Sequence, residues 1–341
     1  MKSTYLLVLI LMFIVTGINF GAESSVDQQA KLGKPLRGKL APKPLYRDPI
    51  YDAPTDPVLC FNTREKKWFM FYTSRRATEP NTPGFTWVHG SRIGIAESSD
   101  GGATWTYKGT ADIDYTGGLS EYTYWAPEVI YHDGTYHMYL SFVPGIFPDW
   151  NHPRDIIHLT SKDLFKWKFE SVLDLKSDRV IDACVIQLSN GTWRMWYKDE
   201  RAKKSLSYAD SSDLYKWEAR GNAVNDRNGE GPKVFHWKGH YWMIADVWRG
   251  LGVWSSDDCL NWMPQGQNLH GSHGDVVVSG DRAYLFYFKG LNKDNIDPND
   301  PYAKRRAVIQ VTELEYNDGW LNCDVDKPTH INLLLQQEQE K

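Results

Sequence analysis

Ser161-Lys-Asp-Leu-Phe-Lys-Trp167 returns fifty residues later as Ser211-Ser-Asp-Leu-Tyr-Lys-Trp217. Two further copies flank this pair, Ser98-Ser-Asp-Gly-Gly-Ala-Thr-Trp105 and Ser255-Ser-Asp-Asp-Cys-Leu-Asn-Trp262. Each follows a strand-like run: Ile93-Gly-Ile-Ala, Ile156-Ile-His-Leu, Leu206-Ser-Tyr-Ala or Gly252-Val-Trp. Ser and Asp side chains hydrogen-bond turn backbone, so the motif reads as a hairpin corner with its Trp packed back over the turn. A second pattern recurs five times, a turn leading into an aromatic-rich strand. The strands open at Trp68, Tyr136, Trp193, Tyr241 and Ala283, after turns that include His132-Asp-Gly and Ser189-Asn-Gly. Asp-Gly and Asn-Gly are strong hairpin signals. The strand starts are 68, 57, 48 and 42 residues apart, and a four-stranded propeller blade takes about 40–50. The chain is therefore expected to be all-β, a five-bladed β-propeller. Residues 77–90 and 109–124 are read as inserts in its first two blades. A sandwich or jelly roll, the competing all-β reading, predicts no such repeat.

The 341 residues carry a net charge of −4, which leaves no broad basic surface for nucleic acid. Fifteen Trp and nineteen Tyr are an excess that suits strands, and also sites that stack on sugar rings. Lys2 followed by the apolar run Tyr5 to Val15 reads as a signal peptide, too short to span a bilayer comfortably. The expected organisation is a signal peptide over 1–22, an extension over 23–45, the propeller over 46–320 and a tail over 321–341. A secreted or periplasmic location follows, with no membrane association after cleavage. Cys60, Cys184, Cys259 and Cys323 are widely spaced, form no metal-binding pattern and imply no particular bridge.

A polar cluster stands near the start of the strand preceding each aromatic strand. In order they are Thr55-Asp-Pro57, Trp125-Ala-Pro-Glu128, Ile181-Asp-Ala183, Glu230-Gly-Pro232 and His273-Gly-Asp275. In a propeller the first strand of each blade lines the axis, so the five clusters are expected to face one another across a funnel. One such cluster is an ordinary turn; five at equivalent blade positions describe a hub.

This ordered set resembles glycoside hydrolase family 43, and also the family 117 neoagarooligosaccharide hydrolases, over residues 46–320. The resemblance implies that Asp56 is a general base, Glu230 a general acid, and Asp182 a carboxylate that tunes the acid and holds substrate. It implies inversion of configuration, with two carboxyls about 6.5–9.5 Å apart around a water. A neighbouring like charge keeps such an acid protonated. The resemblance implies no required cofactor, admits a structural calcium at the propeller centre held through water beside His273, and matches Arg306 or Arg305 to a substrate-contacting arginine. Trp125 and Glu128 are read as substrate-binding, and Trp87, Tyr124, Trp248 and Arg249 as loop residues able to stack on or clamp a sugar.

Departures from the pattern leave alternatives. Asp52 competes with Asp56 as base, and Glu128 stands where Asp is more usual. Ala183-Cys184 replaces Pro-Ser, and the likeness to family 117 makes His273 a second candidate acid. The expected function is an exo-acting, inverting glycosidase trimming terminal sugars from plant or algal oligosaccharides or polysaccharides, the long inserts narrowing the funnel. A non-catalytic carbohydrate-binding propeller is the main alternative. A sialidase is another, since Ser98–Trp105 fits the Asp-box turn, but the chain lacks an arginine triad and a sixth blade.

Overall fold

At the corner after Asp155–Ser161, Ser161 Oγ accepts the N–H groups of Asp163 and Leu164, and Asp163 Oδ1 accepts those of Phe165 and Lys166. Leu164 is left-handed at φ 69°, and Trp167 Nε1 returns to its carbonyl at 3.2 Å. Ser211, Asp213, Leu214 and Trp217 repeat this arrangement bond for bond. The repeated motif is thus a self-capped turn, stabilised within its own few residues.

The computed structural model describes residues 38–291, 297 and 299–333. The expected signal segment, residues 23–37 of the extension and residues 334–341 of the tail lie outside them. Five antiparallel sheets form the blades. Blade one is Pro54–Asn62, Lys67–Ser74, Arg92–Ser98 and Thr106–Thr110. Blade two is Thr123–His132, Thr135–Val143, Asp155–Ser161 and Lys166–Val172. Blade three is Val180–Gln187, Trp193–Asp199, Leu206–Ser211 and Glu218–Val224. Blade four is Glu230–Trp237, His240–Asp246, Leu251–Ser256 and Met263–Pro264. Blade five is Gly274–Ser279, Arg282–Gly290, Ala307–Asn317 and Trp320–Cys323. The first strand of every blade touches the first strands of both neighbours, closing a ring around the axis. The only helical element among the described residues is a 3-10 turn at Ala303–Arg305.

The aromatic strands are second in each blade and pack between sheets. Phe71, Met138, Leu140 and Trp167 fill the space between blades one and two, and Met70, Tyr72, Phe286 and Ile309 that between five and one. The insert at 109–124 does not narrow the funnel as expected. It runs to the outer edge, where Asp112–Ile113 pairs in parallel with Lys166–Val172 and Tyr115 stacks on Phe169 at 4.0 Å. Tyr115 is spent on that outer sheet edge, while Tyr122 packs beside Arg92 and Tyr124 is buried in the first strand of blade two against Phe142.

Two features of the inner strands position everything at the hub. In blades one to four a bulge interrupts the ladder near the strand start. There Asp56, Ala126, Asp182 and Gly231 adopt left-handed φ of 52°, 42°, 62° and 58°. Bulges of this kind re-aim a side chain beside functional sites. The inner strand is also a sheet edge, with N–H groups that no further strand accepts. Side chains of the preceding blade accept them instead. Thr73 takes Ala126 N–H at 2.8 Å, Ser141 takes Asp182 at 3.0 Å, Asp182 takes Gly231 at 3.0 Å and Asp246 takes His273 at 3.2 Å. One layer deeper, Glu128 takes Val185, Cys184 takes Val234 and Asp275 takes Leu59.

The ring is locked by segments on both sides of it. Leu45 and Tyr46 exchange backbone bonds with Ile309 of blade five, and Leu333 bonds Gly101 of blade one. Lys39–Leu40 pairs with His330–Ile331. All four cysteines are unpaired.

Trp167, 1% exposed and edge-on to Phe71 at 5.9 Å, anchors its corner to blade one. Trp167→Ala is expected to cost about 3–5 kcal/mol, measured as a lowered urea midpoint at unchanged m-value.

Candidate active site at the propeller axis

The first strands begin, and the second strands end, at the same mouth of the ring. A cavity of about 620 Å³ opens there. From the strand starts come Asp56, Trp125, Asp182, Glu230 and His273; from the ends of second strands and the loops beyond come Arg75, Glu200, Asp246 and Trp248. Asp56, Asp182 and Glu230, from three different blades, thus share one pocket. Trp150 and Arg154, from the loop after the second strand of blade two and the start of the third, complete one wall.

Asp56 is buried. Its Oδ2 accepts Thr55 Oγ at 2.9 Å and faces Arg75 Nη2 at 3.6 Å, while Oδ1 faces His273 Nδ1 at 3.5 Å. Burial alone would raise its pKa, but Arg75, His273, Thr73 and Thr55 together outweigh burial and hold it below the usual carboxylate value. Asp56 is therefore ionised at neutral pH. Asp182 and Glu230 go the other way. Burial first, then the charge of Asp56, pushes Asp182 up to about 8. Burial first, then the charge of Asp182, pushes Glu230 up to about 8. The two titrate as a pair that keeps at least one proton at neutral pH. Asp182 Oδ2 accepts the Gly231 N–H, a bond that favours its ionised form. The pocket consequently presents an ionised carboxylate and a protonated carboxyl from different blades.

The aromatic wall is built from both inserts and strands. Trp125 donates its Nε1 to the Val88 carbonyl at 2.7 Å and lies 5.9 Å from Trp150, which is 44% exposed. Arg154 holds this wall from behind. It donates to the Trp150 carbonyl at 2.6 Å, lies 5.9 Å over the Trp125 ring and pairs with Glu200 at 2.5 Å. Trp248 stands at the mouth, 59% exposed and left-handed at φ 62°, its N–H held by Asp246 Oδ1 at 2.7 Å. A bulky residue in that conformation costs about 1–3 kcal/mol and is concentrated at functional sites.

Other residues expected at the site stand elsewhere. Asp52, the alternative base, is bound by Arg47 and by Arg306 at 2.9 Å and does not line the cavity. Arg306 itself is divided between Asp52 and Asp300. Trp87 supports the wall from outside, packed beside Val88 and Trp125 under the Arg305 guanidinium at 5.6 Å. Glu128 lies below the pocket, 3% exposed, paired with Lys233 at 2.9 Å. Its position two residues beyond the bulge turns it toward the axis and away from the mouth.

Arg75, Trp150, Arg154, Glu200 and Asp246 are the pocket residues that motif reading passes over. Their signal is positional. In an antiparallel blade the end of the second strand returns to the mouth where the first began, which puts Arg75, Glu200 and Asp246 within reach of the hub.

No protein-family model matches the chain, and no curated protein does. Solved structures match across most of its length. A thermostable family-43 glycoside hydrolase is 19% identical, covering 84% of this chain and 99% of its own, with a TM-score of 0.64. A family-43 β-xylosidase/α-arabinofuranosidase from a compost metagenome, solved with xylotriose in a calcium-free form, is 16% identical, covering 86% and 98%, with a TM-score of 0.62. An α-L-arabinanase from Cellvibrio cellulosa with arabinohexaose is 16% identical, covering 80% and 95%, with a TM-score of 0.57. The chain shares the fold of these enzymes.

The raised Glu230 carboxyl is a cost to folding. Between its ordinary value of 4.5 and about 8, the folded chain keeps a proton that the unfolded chain releases, so this group lowers stability as pH rises through that window. Glu230→Gln is expected to melt a few degrees above the parent at pH 8 and to gain nothing near pH 4, in thermal scans at both.

Proposed function

We propose that the protein is a glycoside hydrolase that trims terminal sugars from plant or algal oligosaccharides with inversion of configuration. The observation that carries this reading is the pairing, in one cavity, of Asp56 held ionised with Glu230 held protonated. Glu230 gives its proton to the leaving-group oxygen as the glycosidic bond breaks. Asp56 takes a proton from a water attacking the opposite face of the anomeric carbon. Asp182 keeps Glu230 protonated by its charge and is placed to bind substrate hydroxyls. Arg75 and His273 keep Asp56 ionised between turnovers.

A cavity of about 620 Å³, floored by the His273 ring lying on Gly231, supports cleavage from a chain end. Trp125, Trp150 and Trp248 offer ring faces to a sugar. The fold shared with a xylosidase and an arabinanase supports a neutral sugar as substrate. The apolar run Tyr5 to Val15 supports action outside the cytoplasm, in the periplasm or medium.

Asp56→Asn and Glu230→Gln are each expected to lower kcat/KM about 10²–10⁴-fold on the best substrate of an oligosaccharide panel. Hydrolysis by both variants at the parent rate would sink the mechanism, and NMR of the first-formed anomer tests inversion. The pH profile of kcat/KM should fall on its alkaline side near 8 and on its acid side below about 4, with the alkaline limb lost in Glu230→Gln. Trp248→Ala should raise KM roughly 3–10-fold with kcat nearly unchanged.

A further inference from the structure

The resemblance to family 43 admits calcium beside His273, and the hub residues can be set against that ion. Beyond Glu128, Lys233 and Asp275 the axis opens into a cavity of about 490 Å³, but beside His273 it holds only a void of about 10 Å³, walled by Asp56, Glu128, Lys233, His273 and Asp275 with the neighbouring backbone. That is room for about one water. Calcium gathers six to eight oxygens at about 2.3–2.6 Å. The His273 ring lies directly on Gly231, where a Cβ would meet it at 2.5 Å. Its Nδ1 is turned to Asp56 and Asp182, at 3.5 and 4.0 Å. These residues do not fit a hydrated divalent ion.

A cation does stand on the axis. Lys233 Nζ lies 2.9 Å from Glu128 Oε2 and 2.9 Å from Asp275 Oδ1. The other oxygen of each carboxylate accepts a backbone N–H across a blade boundary, Glu128 Oε1 from Val185 and Asp275 Oδ2 from Leu59. One ammonium from blade four thereby ties together blades two and five, and through their carboxylates blades three and one. Glu128 and Asp275 side chains are each 4% exposed and that of Lys233 14%. One ammonium offsets one of the two carboxylate charges, and between them the ammonium and the two backbone N–H groups occupy both oxygens of each carboxylate, leaving none turned to a second cation.

We infer that Lys233 is the resident cation of this propeller: its ammonium takes the place of a central metal ion, gathers all five blades and makes the fold independent of divalent ions. The inference stands apart from the proposed reaction, because its readouts are stability and metal content.

The test uses the full chain, dialysed against EDTA and then returned to millimolar calcium. The melting temperature is expected to stay fixed through both steps, with metal analysis finding no stoichiometric calcium. Lys233→Met is expected to melt roughly 10 °C lower, since it leaves two buried carboxylates without their counter-charge; Lys233→Arg keeps the charge and most of the stability. A Lys233→Met chain that cannot be recovered folded, beside a folded Lys233→Arg chain, gives the same support. A parent protein that carries one calcium, or that loses stability to the chelator, overturns the inference. So does a Lys233→Met chain that melts with the parent.

Discussion

A ring of sheets has a problem that a stack of sheets does not. Each blade leaves its first strand unpaired at the centre, with N–H groups buried where water cannot serve them. An unmet buried donor costs about 1–3 kcal/mol, so the hub stands or falls on where these groups go. Here each is answered by the blade before it, always in the same rotational sense: Thr73 to Ala126, Ser141 to Asp182, Asp182 to Gly231, Asp246 to His273, Asp275 to Leu59. The acceptors are short side chains near strand ends. The ring is held by polar bonds at its centre and by aromatic packing between blades further out.

The chemistry grows from the same device. Asp182 donates its amide N–H to Ser141 Oγ and accepts the Gly231 N–H at its carboxylate. It is a structural acceptor for blade four and an electrostatic neighbour of Glu230. The bulges add direction, for left-handed backbone at Asp56 and Asp182 swings carboxylates that alternation would send between sheets into the mouth. Asp tolerates that conformation better than most residues. Opposite protonation states then follow from company. Asp56 meets Arg75 and His273, whereas at Glu230 burial and the charges of Asp182, Asp246 and Asp56 outweigh His273.

Much of this was legible in the sequence because it is local. A Ser-x-Asp-Leu corner completes its hydrogen bonds within a few residues, so it writes itself as a motif. Aromatic second strands repeat because each must fill the same wedge between blades. The hub clusters were visible as a set for the same reason. What could not be read depends on partners far along the chain. Glu128 has the chemistry of a substrate ligand, and only Lys233, 105 residues on, shows where it is used. Arg306 resembles a substrate clamp until Asp52 and Asp300 occupy it. Arg154 and Glu200 carry no motif at all; they matter because two loops meet behind Trp150. The 109–124 insert, rich in residues that line funnels elsewhere, covers an outer sheet edge.

The segments beside the ring have a consequence for how the molecule comes apart. In a linear array of repeats the outermost units have one neighbour each, and loss of structure starts there. Here the strand leading into blade one is laid on blade five, and the strand leaving blade five is laid on blade one. No blade is terminal, and each is bounded on two sides by another. Fraying has no place to begin, so opening any seam must break the clasp or the axial bonds as well. The repeats, which look modular in sequence, are bound into one cooperative unit of unfolding.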